Sequence, residues 1–392
     1  MLISEEDEIK NLLSHKVQNI EISGIRRFYN KVSKYPEAIS LTLGQPDFPV
    51  PSKVKAAMVK AINENKTTYT SNEGIFELRQ ELSDFLSKQS INYSPDEICI
   101  TVGGSEGLFS VFTAIINPGD KIMLANPAYP AYESIIKLLG GEVVYYNLME
   151  DFTINFEEFK RKIKKFQPKA LILSYPNNPT GAVLSRKERD ELAEILKDSN
   201  AIIISDEMYS SLCFTEFCSI SQVNELKKRT ILIGGFSKIF SMTGLRIGYV
   251  CAKKNILNEI LKVHQYNVSC AASIAQYGAY AGLKYCLEDA ENMKDEFLRR
   301  RDYVYDRLKS MGLSVNKPNG AFYIFPYIGQ FGLNSEEFCI KLLHEAKIAI
   351  VPGSAFGAGG EGYIRLSYSY NLEQLKLALD SFERWIKITF LK

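Results

Sequence analysis

The sequence predicts an α/β fold, with a large domain built on a mostly parallel, seven-stranded sheet and a smaller α+β domain. From about residue 52 to residue 281, short apolar segments alternate with helical patterns, which is typical of a parallel sheet covered by helices on both faces. Several segments are almost continuous in Ile, Leu and Val, as expected for strands buried on both faces. The predicted strands span residues 97–102, 121–125, 142–147, 170–174, 201–205, 230–234 and 246–252.

The pattern changes near residue 288. A long charged helical stretch leads there into two short strand segments, "GAFYIFPY" and "EGYIRLSYS", with a helix between them. We therefore expect a large domain over residues 49–287, and a small domain formed by residues 1–48 together with residues 288–392. The segment before Pro51 has weak periodicity, so we expect it to pack on the small domain or on a second subunit.

The composition is that of an ordinary globular protein, with 46% hydrophobic and 24% charged residues. The formal net charge of +1 gives no field that would attract nucleic acid or an anionic membrane. No apolar run approaches the roughly 18 residues of a membrane-spanning helix, and the acidic start does not resemble a signal peptide. The seven cysteines form no CxxC pair and the three histidines have no paired spacing. We therefore expect a soluble, cytoplasmic protein without a metal site.

Polar side chains follow several of the predicted strands at the point where each strand ends. In "TVGGSEGLF", two glycines and Ser105 open a helix, and the free N–H groups of such a helix start suit a phosphate. Ligands of parallel sheets bind at this carboxyl edge. The later strand ends add an amide, a carboxylate, a phenol, a lysine and an arginine: Asn178, Asp206, Tyr209, Lys238 and Arg246.

Each of these features also has an ordinary alternative. Asp206 stands where a helix cap is common, and "SYPNNPTG" is also a turn sequence. Residues 103–107 spell G-x-S-x-G, the nucleophile elbow of an α/β-hydrolase, with Ser105 as the nucleophile. That alternative needs a histidine on a loop after a strand, whereas the pattern around His264 predicts a helix. "GAGGEG" (357–362) matches a dinucleotide motif, but no helix follows it.

As a set, these groups meet the chemical needs of pyridoxal phosphate. The aldehyde of this cofactor binds a lysine amine, and its pyridine nitrogen needs a carboxylate to stay protonated and withdraw electrons. Its phenolic oxygen needs polar donors, and its phosphate needs helix-end amides and an arginine. One edge of one sheet is predicted to carry all of them.

The motifs resemble those of the class I/II, fold-type I pyridoxal-phosphate aminotransferases over roughly residues 20–377. "SLTLGQPDFPVP", "TTYTSNEGIFELR", "NNPTG", "SDEMY", "SKIFSMTGLRIGY" and "YIRLSYS" occur in the order and spacing of that family. Within it, "EISGIRRF", "KVHQYNVSCAAS" and "YVYDRLKSMGL" are similar to the branch of N-acetyl-diaminopimelate and aromatic amino-acid aminotransferases.

The resemblance implies a role for each matched residue. Lys238 takes the position of the lysine that binds the cofactor covalently, and Asp206 takes that of the pyridine partner. Other matched residues surround the remaining parts of the cofactor: Asn178 and Tyr209 at the phenolic oxygen, Tyr129 on the ring, and Gly104, Ser105, Ser237 and Arg246 at the phosphate.

Substrate and subunit contacts follow from the same resemblance. Gly44, Asn178 and Arg365 match the site of the substrate α-carboxylate. Tyr69 matches a tyrosine that reaches the cofactor phosphate of a neighbouring subunit, which implies a homodimer.

Two departures from the family bear on specificity. Gly235 stands where many members have serine, so the phosphate site loses one hydroxyl. Ser105 stands where some relatives carry a lysine that helps to select acidic substrates. A dicarboxylic substrate then needs another cationic contact. Arg26 in "SGIRRF" is our candidate, with Arg27 as the alternative, because this segment can lie over the site in such a fold.

The resemblance implies a ping-pong transfer of an amino group from an L-amino acid to a 2-oxo acid, with 2-oxoglutarate as the expected acceptor. The expected donor is N-acetyl-LL-2,6-diaminopimelate or an aromatic amino acid. A fold-type I carbon–sulfur β-lyase is the alternative function, because it shares most of the cofactor contacts.

Overall fold

The computed structural model describes residue 9 and residues 12–390. All seven predicted strands of the large sheet are present, with small shifts at their ends. The strands of the described chain are β1 (Ile39–Ser40), β2 (Ile98–Thr101), β3 (Lys121–Asn126), β4 (Glu142–Asn147), β5 (Ala170–Ser174), β6 (Ile202–Asp206), β7 (Thr230–Gly235), β8 (Gly248–Cys251), β9 (Tyr323–Ile324), β10 (Ile348–Ala349), β11 (Val351–Pro352) and β12 (Ile364–Ser367).

The large sheet has the strand order β2-β8-β7-β6-β5-β3-β4. From β7 to β4 the neighbouring strands run parallel, and β8 is antiparallel to both β2 and β7. The register places Ser174 of β5 beside Asp206 of β6, and Asp206 beside Ile233 of β7. The predicted mostly parallel sheet is therefore confirmed, and the carboxyl ends of its central strands lie side by side.

Helices cover both faces of this sheet. Along β2, Ile98 and Ile100 pack into one hydrophobic cluster with the helices Phe76–Ser87 and Ser273–Tyr285. Cys99 packs into another cluster with the helices Gly103–Ile115 and Lys254–Val268. Among the described residues, no helix has the length and apolar content needed to cross a membrane. The helices are α1 (His15–Gln18), α2 (Gly24–Val32), α3 (Ser52–Asn63), α4 (Phe76–Ser87), α5 (Gly103–Ile115), α6 (Pro130–Leu138), α7 (Phe156–Phe166), α8 (Arg186–Leu196), α9 (Phe236–Ile239), α10 (Lys254–Val268), α11 (Ser273–Tyr285), α12 (Leu287–Ser310), α13 (Ser335–Ala346) and α14 (Leu372–Phe390).

The two ends of the described chain share one hydrophobic cluster. β1 pairs in parallel with β10, and a separate antiparallel sheet has the order β11-β12-β9. Phe28, Val32 and Leu41 are buried in the same cluster as side chains of α12, α13 and α14. On this basis we propose that residues 1–48 and 288–392 form the small domain and residues 49–287 the large one, although residues 1–8, 10, 11, 391 and 392 lie outside the described part.

A buried polar pair links α5 to α10. Nδ1 of His264, which is fully buried, lies 3.1 Å from both carboxylate oxygens of Glu106. The same carboxylate accepts hydrogen bonds from Oγ of Ser110 at 2.5 Å and from the backbone nitrogen of Val102 at 3.0 Å. Burial raises the pKa of Glu106, but the hydrogen bonds from His264 and Ser110 outweigh it, so the net pKa lies below the usual value. The pair therefore fixes the first turn of α5, where the glycine motif lies.

We expect the substitution His264→Ala to reduce the free energy of unfolding by roughly 1–3 kcal/mol, because the buried Glu106 carboxylate loses a partner. A carboxyl group with a lowered folded-state pKa stabilises the fold above the pKa of the unfolded chain. This stabilisation is lost as the pH falls through the folded-state pKa. The difference between wild type and variant, measured by urea unfolding, should therefore shrink from about pH 7 to about pH 3. The exposed control His15→Ala should have no effect, and an equally silent His264→Ala would contradict this role.

Candidate active site

A cavity of about 570 Å³ opens at the carboxyl edge of the large sheet, where β9 and β12 also contribute to its wall. Every predicted site residue except Tyr69 lines it, so the fold brings together positions from both ends of the sequence. These lining residues are Arg26, Gly44, Gly104, Ser105, Tyr129, Asn178, Asp206, Tyr209, Ser237, Lys238, Arg246 and Arg365.

One end of the cavity fits a phosphate. The first turn of α5 leaves N–H groups without intrahelical partners, and it includes Gly104 and Ser105. The guanidinium of Arg246 lies against this turn, since a Cβ built on Gly103 would stand 2.7 Å from its Nη2 atom. Ser237 adds a hydroxyl from the start of α9. A helix N-terminus, a hydroxyl and an arginine together suit a dianionic group.

The backbone of this phosphate end packs directly against β8. A Cβ on Gly248 would lie 2.7 Å from the carbonyl carbon of Gly103 and 2.8 Å from the nitrogen of Gly104. Both are backbone atoms, which cannot rotate aside as a flexible side chain would. Only glycine at position 248 therefore allows β8 to support the turn at this distance.

Asp206 is the last residue of β6 and supplies a buried carboxylate. It accepts hydrogen bonds from the hydroxyl of Tyr132 at 2.7 Å and from the backbone nitrogen of Met208 at 3.2 Å. Burial raises the pKa of Asp206 above its usual value, and the two hydrogen bonds reduce this effect without reversing it. Because Tyr132 gives its one hydroxyl proton to Asp206, the Ser174 hydroxyl, 3.0 Å away, donates to the Tyr132 oxygen. We did not predict Tyr132. Its spacing of three residues from Tyr129 at the start of α6 is the one sequence signal that it could face the same site.

Lys238 lies in the short helix α9 and is buried, with 8% of its surface exposed. Burial first, and then the positive charges of Arg246 and Arg365, lower the pKa of Lys238 to about 7. Its amine donates a hydrogen bond to the carbonyl oxygen of Gly44 at 2.5 Å. A substantial fraction of this amine is therefore neutral, and hence nucleophilic and basic, near pH 7.

Arg365 of β12 is almost fully buried and fixed from several sides. Its Nη1 donates to Oδ1 of Asn178 at 2.9 Å, and its Nη2 donates to the carbonyl oxygen of Thr42 at 2.7 Å. The guanidinium carbon lies 4.3 Å from the ring centroid of Tyr323 and 5.0 Å from that of Phe356. Among the described residues, no group accepts a hydrogen bond from its buried Nε. This unsatisfied donor on a buried cation fits the carboxylate of a ligand.

Tyr209 follows β6, and its hydroxyl lies 2.8 Å from the hydroxyl of Tyr323. Burial raises the pKa of Tyr209 well above its usual value, so its hydroxyl stays protonated and able to donate. The Tyr129 ring is half-buried and meets the Tyr132 ring edge-on, with centroids 5.5 Å apart. We did not predict Tyr323, because in "GAFYIF" it is indistinguishable from an aromatic core residue of a strand.

The remaining predicted residues lie at or beyond the edge of the cavity. Arg26 and Tyr29 of α2 line its exposed side, with the Arg26 guanidinium 5.6 Å from the Tyr29 ring centroid. Arg27 does not line the cavity and forms an ion pair with Glu21. Tyr69 is 86% exposed and lies outside the cavity.

The residues present fit pyridoxal phosphate. This cofactor and an amino-acid substrate require a phosphate site, a carboxylate, an amine and a donor to the α-carboxylate. The structure contains a helix start beside Arg246, the buried carboxylate of Asp206, the Lys238 amine with its lowered pKa, and the unsatisfied Nε of Arg365. No group of three or more His, Cys, Asp or Glu side chains in the described residues is arranged to hold a metal ion.

Comparison with known proteins identifies the family. The family model "Aminotransferase class I and II" matches residues 36–382. A protein of Bacillus subtilis (strain 168) named "Probable N-acetyl-LL-diaminopimelate aminotransferase" is 45% identical over 383 residues, which cover 96% of each chain. An aspartate aminotransferase of Pyrococcus abyssi is 37% identical over 96% of this chain and 98% of its own. The crystal structure of an aromatic aminotransferase from Pyrococcus horikoshii OT3 matches with a TM-score of 0.88 at 37% identity, covering 93% of this chain and 100% of that one.

The fold and these matches define a fold-type I, pyridoxal-phosphate-dependent transferase. The chain belongs to the class I and II aminotransferases, and the predicted fold class, enzyme activity and cofactor are thereby confirmed. The names of the relatives give different amino acids, so membership of the family does not by itself fix the substrate.

We expect Gly248→Ala to weaken the binding of pyridoxal phosphate about tenfold or more. The added methyl group displaces the backbone of Gly103 and Gly104, and overpacking costs roughly 1–3 kcal/mol. The measurement is a titration of the apoenzyme with the cofactor, followed by absorbance. Gly244→Ala is the matched control, because a Cβ there meets no atom within 4 Å. Equal affinities for the two variants would show that the contact at residue 248 does not shape the phosphate end.

Proposed function

We propose that this aminotransferase transfers the amino group of an L-amino acid with a distal carboxylate to a 2-oxo acid, with 2-oxoglutarate as the acceptor. The favoured donor is N-acetyl-LL-2,6-diaminopimelate, the compound in the name of the Bacillus subtilis relative. An aromatic amino acid is the second candidate, from the name of the Pyrococcus horikoshii structure. The observation that carries the proposal is the presence of two guanidinium groups in the cavity besides Arg246 of the phosphate end: Arg365 in its buried wall and Arg26 at its exposed edge.

In this proposal, Arg365 binds the α-carboxylate that every amino-acid and 2-oxo-acid substrate carries. Asn178 and Thr42 hold the guanidinium in place through its two Nη atoms, and the free Nε donor is available to the ligand. A charge-assisted hydrogen bond to such a fixed cation contributes about 1.5–3 kcal/mol. The α-carboxylate therefore determines which end of the substrate enters the site.

Pyridoxal phosphate, when bound, supplies the aldehyde that accepts the amino group and a ring that withdraws electrons from the substrate α-carbon. Asp206 keeps a proton on the pyridine nitrogen, because a buried carboxylate stabilises a neighbouring positive charge. Asn178 and Tyr209 donate hydrogen bonds to the phenolic oxygen. Gly104, Ser105 and other residues of the phosphate end anchor the phosphate.

Lys238 is proposed to move the proton of the substrate α-carbon. A general base works best when its pKa lies near the working pH, and the pKa of Lys238 is about 7. The same amine would hold the cofactor covalently before the first half-reaction and again after the second, because between them the cofactor carries the transferred amino group. A ping-pong sequence follows, in which the 2-oxo product leaves before the second 2-oxo acid enters.

We propose a cytoplasmic homodimer in which Tyr69 contacts the cofactor phosphate of the neighbouring subunit. Tyr69 is 86% exposed and Tyr266 is 90% exposed. Asn72 donates a hydrogen bond to the carbonyl oxygen of Ser269 at 2.7 Å, so the loop with Tyr69 adjoins the end of α10 that carries Tyr266. Two large aromatic side chains exposed on one surface are typical of a protein–protein interface.

The other functions considered from the sequence have less support. The named relatives are aminotransferases, which does not favour a carbon–sulfur lyase. For a hydrolase, Ser105 would need a histidine partner. None of the described residues that line the cavity is a histidine, and His264 is hydrogen-bonded to Glu106.

Lys238→Ala should retain non-covalent binding of pyridoxal phosphate but lose multiple-turnover transamination, because no amine remains to hold the cofactor covalently or to move the α-proton. Turnover is measured with the favoured donor and 2-oxoglutarate, and cofactor content by absorbance after gel filtration. The exposed lysine variant Lys34→Ala is the control and should match wild type. Near-native turnover of Lys238→Ala would refute the assignment.

Arg26→Ala should raise KM for 2-oxoglutarate, or for a long diamino dicarboxylate, about tenfold or more, since a lost charged hydrogen bond costs roughly 1.4 kcal/mol or more. KM for aromatic donors should change much less, because they carry no distal carboxylate. Steady-state kinetics with both substrate classes provide the measurement.

Arg27→Ala is the matched control for this experiment, because Arg27 is the adjacent arginine, is paired with Glu21 and does not line the cavity. It should leave both KM values close to those of wild type. Equal effects of Arg26→Ala on acidic and aromatic substrates would mean that Arg26 supports the fold and does not select substrates.

A further inference from the structure

Tyr323 has no assigned role, although it contacts both Tyr209 and Arg365. It is the first residue of β9, is 1% exposed and lines the cavity. Its hydroxyl lies 2.8 Å from that of Tyr209, and its ring lies under the guanidinium of Arg365 at 4.3 Å. The same side chain therefore joins the proposed cofactor contact of Tyr209 to the proposed carboxylate contact of Arg365.

Gly44 brings Lys238 into the same group. A Cβ on Gly44 would stand 2.3 Å from the Tyr323 hydroxyl oxygen, so this hydroxyl lies directly against the Gly44 backbone. The carbonyl oxygen of Gly44 accepts the hydrogen bond from Lys238 at 2.5 Å. The Tyr323 phenol therefore restricts the position of the Gly44 carbonyl group, which accepts the hydrogen bond from Lys238.

The direction of the hydrogen bond between the two phenols follows from the proposed role of Tyr209. Either hydroxyl could donate across the 2.8 Å contact. A hydroxyl has one proton, and Tyr209 is proposed to give its proton to the phenolic oxygen of the cofactor. Tyr323 then donates and the Tyr209 oxygen accepts, and hydrogen bonds in such a chain strengthen one another.

We propose that Tyr323 is a positioning residue that acts through Tyr209: it donates to the Tyr209 oxygen and so directs the Tyr209 proton at the phenolic oxygen of bound pyridoxal phosphate. The inference rests on the proposed contact between Tyr209 and the cofactor. The ring of Tyr323 has a separate effect, because it packs against Arg365 whether or not the hydroxyl is present. Removing the hydroxyl alone should therefore affect the cofactor and leave carboxylate binding nearly unchanged.

The test compares wild type with Tyr323→Phe in the holoenzyme, without an amino donor. The pH midpoint of the visible absorbance change of the bound cofactor should rise by about half a pH unit or more, because a weaker Tyr209 donor stabilises negative charge on the phenolic oxygen less well. With substrates present, kcat should fall about three- to tenfold, whereas KM for the amino donor should stay within about twofold.

A double-mutant cycle decides whether the effect passes through Tyr209. In a Tyr209→Phe background, adding Tyr323→Phe should shift the midpoint no further. Tyr368→Phe is the matched control, because it removes another buried hydroxyl, bonded to the carbonyl oxygen of Ala321 and outside the cavity. It should leave the midpoint unchanged.

An unchanged midpoint in Tyr323→Phe, or an undiminished shift in the Tyr209→Phe background, would overturn the proposal. The spectral comparison needs only bound cofactor. If wild type transaminated none of the proposed donors, the proposed function would fail while the comparison still decided the role of Tyr323.

Discussion

Four cationic side chains of the described chain line one cavity, and the burial of one of them, Lys238, is the constraint on which the rest of the site depends. Burial, and after it the charges of Arg246 and Arg365, lowers the pKa of Lys238 to about 7. The free-energy cost of a buried ammonium group beside other cations is relieved when the lysine loses a proton or when anions bind. In the proposed function, a reactive neutral amine and affinity for phosphate and carboxylate groups therefore have one physical origin.

Rigid elements hold these charges at short range. Asp206 ends the central strand β6, Lys238 lies in a helix that directly follows β7, and Arg365 belongs to β12. The Gly44 backbone lies against the Tyr323 phenol, and the Gly248 backbone lies against the first turn of α5, so neither position has room for a side chain. The Gly44 carbonyl that binds Lys238 cannot shift without moving the phenol, and the phosphate end cannot shift without moving β8. The site therefore needs little reorganisation when ligands bind, which is the condition for effective electrostatic stabilisation.

The sequence was sufficient for the sheet and for most of the cavity wall, because apolar runs mark buried strands and polar residues mark the points where those strands end. Tyr132 and Tyr323 were missed for a physical reason. An aromatic residue at a helix start or in an apolar strand has the same local pattern whether its hydroxyl meets a carboxylate or packs in the core. Glu106 and His264 were also not paired, since their contact exists only once α5 and α10 pack together. β9 and β12 are shorter than the two strand segments predicted from the sequence, because pairing partners decide where a strand ends.

The shared cluster at the two ends of the described chain has a consequence for how the enzyme is made. Phe28 and Leu41 are buried against helices that extend to Phe390, and Thr42 contacts Arg365. These contacts span most of the polypeptide, and contacts of such separation form late, after the cost of closing the intervening chain is met. On a ribosome, the segment with Phe28 and Leu41 therefore cannot dock fully until α14 has emerged. The parallel sheet can assemble earlier, but the substrate side of the proposed site is completed only after α14 has emerged.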